Sequence, residues 1–219
     1  MEVKHASHQK RNVIVVIMLI SAFAAMLNQT ILNTALPAII KDLGVHDTTA
    51  QWLITGFMLV NGIMIPLTAY LMDKYSTKTL YIFSMAAFLI GSVIAALSPV
   101  FEILMAARVI QAIGAGILLP LMQFTVFTLF PVEKRGFAMG LTGIVAQTAP
   151  AVGPTLTGLL IDHFTWRIPF FVVAAISVVV FIFGIFFVER QNQPKAAHLD
   201  KISVVYSTSV SYTHLRAHE

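Results

Sequence analysis

The sequence predicts an all-α membrane protein, a bundle of six transmembrane helices, on three observations. Six apolar stretches between residues 13 and 188, separated by short polar loops, each supply the roughly 20 residues a helix needs to cross about 30 Å of hydrocarbon. Of the 219 residues 58% are hydrophobic and 11% charged, with mean hydropathy +0.83, where a soluble domain carries roughly 25% charge. The cations are also unevenly placed. If the helices alternate, Lys4, Lys10, Arg11, Lys74, Lys78, Lys134, Arg135, Arg190 and Lys195 share one side, and only Lys41 and Arg167 face the other. That excess marks the cytoplasmic face, so a multi-pass protein of the plasma (cytoplasmic) membrane with its amino terminus inside is expected. The net charge of +4 is thereby a topological signal, and nucleic acid is not an expected partner.

Residues 1–12 read as a cytoplasmic amino terminus, and 13–188 as the bundle. The basic start, the apolar Val13–Ile20 and the small Ala22 and Ala24 imitate a secretory signal. The apolar run continues to Leu36, however, and five more follow, which suits an uncleaved first helix over Val13–Leu36, closed by Pro37. Thr48, with Gln51 three residues later, forms a capping-box pattern opening the second helix, Trp52–Met72. The third is Leu80–Ser98. Pro99 precedes the fourth, Ile103–Phe130, which Pro131 and the triplet Glu133, Lys134, Arg135 end. Phe137–Ile161 and Ile168–Val188 complete the set. Short loops predict that helices adjacent in sequence are antiparallel neighbours in space.

A 3+3 inverted repeat is a further expectation, because Asn28 and Asn33 before Leu36-Pro37 faintly match Arg108 and Gln111 before Leu119-Pro120. After Glu189 the chain turns polar, as a cytoplasmic linker would. Residues 209–219, SVSYTHLRAHE, read as a translated sequencing adapter, a non-native tail outside the fold.

Arg108 is the one clearly intramembrane charge, and a charge in hydrocarbon costs several kcal/mol, so it is expected to face the bundle interior or a wet cavity. At about 1.5 Å per residue it lies roughly 9 Å below the outer end of its helix, and Asn28 roughly 12 Å below that of the first. Asn28, Gln29, Asn33 and Gln111 are candidate acceptors for its five donors. The alternative is that these amides only join helices. Phe57, Met58, Met122 and Phe124 are candidates for an adaptable apolar wall. Trp166 and Arg167 at the outer entry to the sixth helix need no role beyond interfacial anchoring.

No catalytic or metal-binding constellation stands out. All seven histidines lie outside the spans, cysteine is absent, and no glycine-rich phosphate loop is present. The chain is therefore expected not to be an enzyme, with no metal and no cofactor.

The segment Leu27–Pro37, LNQTILNTALP, resembles the first-helix motif of the major facilitator superfamily, in its fourteen-helix drug/proton antiporter branch. Gln51-Trp52, the loop AYLMDKYSTK at Ala69–Lys78, Arg108 with Gln111, Gly114 and Gly116, and Gly140–Gly158 resemble further motifs of that branch. The resemblance implies the amino-terminal half of such a fold. It implies that Asn28, Gln29, Asn33, Arg108 and Gln111 line a substrate and proton cavity, and that Asp73, Lys74 and Lys78 form a gating loop. It implies too that Gly140, Gly143, Pro150, Gly153, Pro154 and Gly158 form the antiporter-motif helix.

Five positions depart from the pattern. Ser76 and Thr77 replace glycine and arginine in the loop, and Ala149 and Thr157 replace glycines in the fifth helix. Asn28 also stands where many members place an aspartate, and an amide carries no proton near neutral pH. All ten acidic residues lie in loops, tails or helix ends, so the proton-carrying carboxylate is expected in a carboxyl-terminal half that this sequence lacks. LDKISVVYST at Leu199–Thr208 resembles the start of a seventh helix, so 189–208 reads as linker plus that start.

The expected function is export of small amphipathic compounds in exchange for protons by alternating access. Membrane lipid, the substrate and the missing half are the expected partners, and the proton is the coupling ion. A solute importer of the same fold and an inert membrane fragment are the alternatives.

Overall fold

The computed structural model describes residues 8–189, with side chains from Lys10 onward. The expected linker beyond Glu189, the seventh-helix start and the tail lie outside the described residues. The elements are α1 (His8–Leu43), α2 (Asp47–Ala50), α3 (Trp52–Lys74), α4 (Thr77–Leu97), α5 (Phe101–Leu129), a 3-10 turn (Val132–Lys134), α6 (Arg135–His163) and α7 (Ile168–Phe187). Among the described residues six helical segments are long and apolar enough to cross a membrane. The single turn α2 leads into α3 as one of them.

Two local expectations are corrected. Pro37 does not close the first helix, which runs on to Leu43. A proline inside a helix loses one hydrogen bond and crowds the preceding turn. Ending a helix within a membrane strands more backbone groups than that, so continuing is the smaller cost. The actual stop is Gly44, whose φ of 63° is open to glycine and whose N–H bonds the Ile40 carbonyl at 3.0 Å, an αL cap.

The Thr48–Gln51 capping box is not formed either. Helical backbone begins at Asp47, with His46 as N-cap, and Gln51 caps nothing through its side chain. Its carbonyl instead accepts from Thr55 Oγ1 at 3.1 Å. A cap does form at Ser76, whose Oγ accepts from the Thr79 N–H at 3.2 Å and opens α4.

Packing corrects the neighbour expectation. Of helices consecutive in sequence, only α4 and α5 share an extensive interface; α1 and α3, α3 and α4, and α6 and α7 barely touch. A short loop fixes only the ends it joins, and side-chain fit decides the rest. Central α5 packs against α4, α3 and α1, while α1 packs against α6 and α7 and α4 against α7. Exchanging α1, α3, α4 with α5, α6, α7 maps the α1–α6 contact onto α5–α3 and α1–α7 onto α5–α4. That is the pattern of a 3+3 repeat.

Close approach is bought by small residues. A methyl group at Gly114 would lie 2.8 Å from the Phe88 nitrogen, and one at Gly56 would meet the Met105 side chain. Tyr81 ties three helices: its hydroxyl hydrogen-bonds Ser21 Oγ of α1 at 3.0 Å and donates to the Val180 carbonyl of α7 at 3.1 Å. Its ring lies against Gly184, where a methyl group would overlap it.

Candidate transport site

Arg108 sits in the middle of the bundle with 1% of its surface exposed, on the face of α5 that also buries Leu104, Ala107 and Gln111. Gln111 is three residues on, hence on the same helix face. Arg108 Nη1 donates to Gln111 Oε1 at 2.9 Å, and its Nε points at the Leu53 carbonyl of α3 at 3.5 Å. The guanidinium carbon lies 4.2 Å from the centre of the buried Phe57 ring, a cation–π contact. Gln111 Nε2 in turn donates to Ser92 Oγ of α4 at 3.0 Å and reaches Asn28 Oδ1 of α1 at 3.5 Å. Four helices therefore converge on one guanidinium and one amide.

No carboxylate among the described residues takes part. The ion pairs among the described residues are Lys10–Glu189 and Arg167–Asp42, both at helix ends. A buried charge without a counter-ion is costly. Here an amide oxygen, a backbone carbonyl and an aromatic face carry the compensation. Asn28 Nδ2 is buried without a partner, so the network ends on an unused donor.

Of the amides singled out in the sequence, Asn28 and Gln111 are fully buried and joined to the network. Gln29 is half-buried and Asn33 exposed, and neither bonds Arg108 among the described contacts. Successive residues turn about 100°, which carries both away from the face of Asn28. Phe57 and the Leu53 carbonyl as partners of this charge, and Ser92 as partner of Gln111, were not legible. Gly91 beside Ser92 was the available signal, since a methyl group there would sit 2.7 Å from Gln111 Cγ. Phe57 and Met122 are buried, Phe124 is half-buried and Met58 is exposed.

Asp73 and Lys74 lie exposed at the end of α3, with Lys78 half-buried in the first turn of α4. Lys74 Nζ is 5.6 Å from the Tyr75 ring centre and 6.0 Å from that of Tyr70.

On α6, Ala149, Gly153 and Thr157 follow at four-residue spacing and are buried along one stripe in the interface with α1. A methyl group at Gly153 would overlap Thr30 Oγ1. Gly140, Gly143 and Gly158 instead have open space where a Cβ would go, and Pro150 and Pro154 are exposed. The two departures, Ala149 and Thr157, thus fall on the stripe against α1, and the open glycines on another face.

The entry to α7 holds a second polar cluster that the sequence did not reveal. Asp42 Oδ2 accepts from Trp166 Nε1 and from Arg167 Nη1, both at 2.9 Å, and Arg167 Nη2 donates to the Ser98 carbonyl at 3.1 Å. The ends of α1, α4 and α7 are clasped together there. Among the described residues no group of three histidine, aspartate or glutamate side chains gathers to hold a metal ion.

Residues 18–217 match the family model of the Major Facilitator Superfamily. The chain is 46% identical over 198 residues to YcnB of Bacillus subtilis (strain 168), named an uncharacterized MFS-type transporter, covering 90% of this chain and 42% of that protein. It is 38% identical over 195 residues to the lincomycin resistance protein LmrB of the same organism, covering 89% and 41%. The chain thus spans less than half the length of these relatives. In shape it is similar to a peptide transporter POT crystallised in complex with sulfate, with TM-score 0.75 over 94% of this chain and 45% of that one. At 10% identity that likeness speaks to the fold alone.

Proposed function

This chain belongs to the Major Facilitator Superfamily, and from that premise we propose that it is the amino-terminal six-helix half of a secondary exporter that exchanges amphipathic compounds for protons. The half lies in the plasma membrane with its amino terminus in the cytoplasm. It catalyses no covalent chemistry and needs no cofactor, the proton being its coupling ion. Substrate binds between this half and the carboxyl-terminal half, and the two rock to expose the site to either side in turn. The relative named a lincomycin resistance protein supports drug export as the direction.

The observation that carries the reading is Arg108, a buried cation held by neutral partners only. Such a charge lowers the proton affinity of a carboxylate brought near it, so proton release becomes tied to the approach of the two halves. That carboxylate belongs to the other half. Gln111 holds the guanidinium and Asn28 braces Gln111, Gln29 and Asn33 face the substrate, and Asp73, Lys74 and Lys78 gate the inner side. The open face of α6 with Gly140, Gly143 and Gly158 packs on the other half.

The test uses the intact gene in a bacterium lacking its own exporters, loaded with a lipophilic cationic dye. The expected result is low dye accumulation that rises to the control level with an uncoupler or with Arg108→Gln. Export that survives collapse of the proton gradient, or dye uptake above the control, would overturn the reading.

A further inference from the structure

A groove of about 700 Å³ opens where the start of α1 meets the end of α5 and the start of α6. Its polar lining lies at one end: Arg11, Asn12, Glu133 and Lys134. Leu19 and Leu141 line it deeper. From Arg11 to Leu19 a helix rises about 12 Å, and from Lys134 to Leu141 about 10 Å, so both walls pass from charged to apolar over the same depth. A second groove, of about 460 Å³ between α1 and α7, shares Asn12 and Val16 with the first, and its remaining lining is aliphatic and aromatic. The ridge Asn12–Val16 therefore has a slot on either side, polar at the top and apolar below.

Among the described residues Arg11 takes part in no ion pair. Its guanidinium carbon lies 4.7 Å from the Phe130 ring centre, while its Nε is buried without a hydrogen-bond partner. Among the described residues the charges at this end of α1, α6 and α7 are Lys10, Arg11, Lys134 and Arg135 against Glu133 and Glu189, an excess of cations. Lys10 pairs with Glu189 at 3.6 Å, and Arg135 donates to the Phe130 carbonyl, so Arg11 and Lys134 are the cations that line the groove. Basic pockets between transmembrane helices recognise anionic lipid headgroups.

We propose that this site binds one anionic phospholipid of the phosphatidylglycerol type. Its phosphate lies between Arg11 and Lys134, and its two acyl chains fill the grooves on either side of Asn12 and Val16. The glycerol hydroxyls of the headgroup donate to Glu133. A zwitterionic lipid leaves the cation excess uncompensated.

The test is native mass spectrometry of the 219-residue chain released from micelles that mix phosphatidylglycerol, phosphatidylethanolamine and phosphatidylcholine. One phosphatidylglycerol is expected to be retained per chain in preference to phosphatidylcholine. The double variant Arg11→Gln with Lys134→Gln should weaken that retention about 30-fold, at about 1 kcal/mol per cation. Lys78→Gln, in the first turn of α4 at the same end of the bundle, should leave it unchanged, and Glu133→Gln should tighten it by relieving repulsion of the phosphate. Equal retention of both lipids overturns the proposal, as does equal weakening by Lys78→Gln. Preference for phosphatidylethanolamine, lost with Glu133→Gln, would assign the site to an aminophospholipid instead. If the double variant does not fold, Leu141→Trp in the otherwise unchanged chain reads the acyl chain directly. The emission that it adds to that of Trp52 and Trp166 should be quenched by brominated phosphatidylglycerol and not by brominated phosphatidylcholine, and no difference between the two in that added emission refutes the site.

Discussion

Replacing Gly153 with alanine should separate two kinds of glycine within one helix. A methyl group at this position would overlap Thr30 Oγ1 and come within 2.9 Å of Thr30 Cβ, so α1 and α6 must part or Thr30 must leave its rotamer. Thr30 is not free to move without loss, because its hydroxyl donates to the Leu27 carbonyl at 2.8 Å. Overpacking of this kind costs about 1–3 kcal/mol. Alanine returns about 0.5–1 kcal/mol of helix preference over glycine, which leaves a net loss of roughly 1 kcal/mol at the middle of both ranges. Gly158→Ala collects the same helix preference with no neighbour within 4 Å to meet. The two substitutions should therefore differ by roughly 2 kcal/mol, or about 4–8 °C in melting temperature for a chain of this size. The assay is thermal unfolding of the chain in detergent, followed by the emission of Trp52 and Trp166. Thr30→Ala added to Gly153→Ala removes the nearer overlap and should recover about half the deficit. If Gly153→Ala melts at or above the parent temperature, or Gly158→Ala falls as far, the packing argument fails.

Three other outcomes follow from described contacts. Arg108→Lys keeps the charge but loses the planar stack on Phe57 and the fork that reaches both Gln111 and the Leu53 carbonyl, so export by the intact protein should fall about tenfold at unchanged expression. Parental dye accumulation in that variant would show that charge alone suffices. Asp42→Ala should cost about 1–2 kcal/mol, the sum of one hydrogen bond to Trp166 and an ion pair discounted because Asp42 is 47% and Arg167 29% exposed. The freed indole should shift its emission to longer wavelength, and an unshifted spectrum would refute the clasp. Tyr81→Phe removes the hydroxyl shared by Ser21 and Val180 and should lower stability by about 0.5–1 kcal/mol, measured by the same unfolding assay. A variant as stable as the parent would show that the bond contributes nothing.

Span number and approximate limits were legible because lipid imposes a length and a composition that composition alone can display. The ends were less so. Pro37 looked like a stop when read with the rules of water-soluble helices, while the actual stop, Gly44, lay in a polar stretch. The burial of Arg108 was legible from its cost in hydrocarbon, and the pairing with Gln111 from three-residue spacing. The contribution of Ser92 was not, since it depends on how α4 lies against α5, which no local pattern encodes. Nor could the sequence show that one carboxylate oxygen of Asp42 would serve two donors more than a hundred residues away.

That shared oxygen has a mechanical consequence. Trp166 and Arg167 pin α7 to α1 with two short bonds at one end, while the other end is joined by Lys10 and Glu189 at 3.6 Å, with side chains 66% and 56% exposed. The pair is riveted at the top and only leaning at the bottom. Thermal tilting of α7 against α1 then pivots on Asp42 as a fulcrum, restrained part-way along by the Tyr81 hydroxyl between Ser21 and Val180, and displacement is largest beyond that tie, at the ends carrying Lys10 and Glu189. Spin labels at Lys10 and Glu189 should spread over a wider range of separations than labels at Lys41 and Thr165.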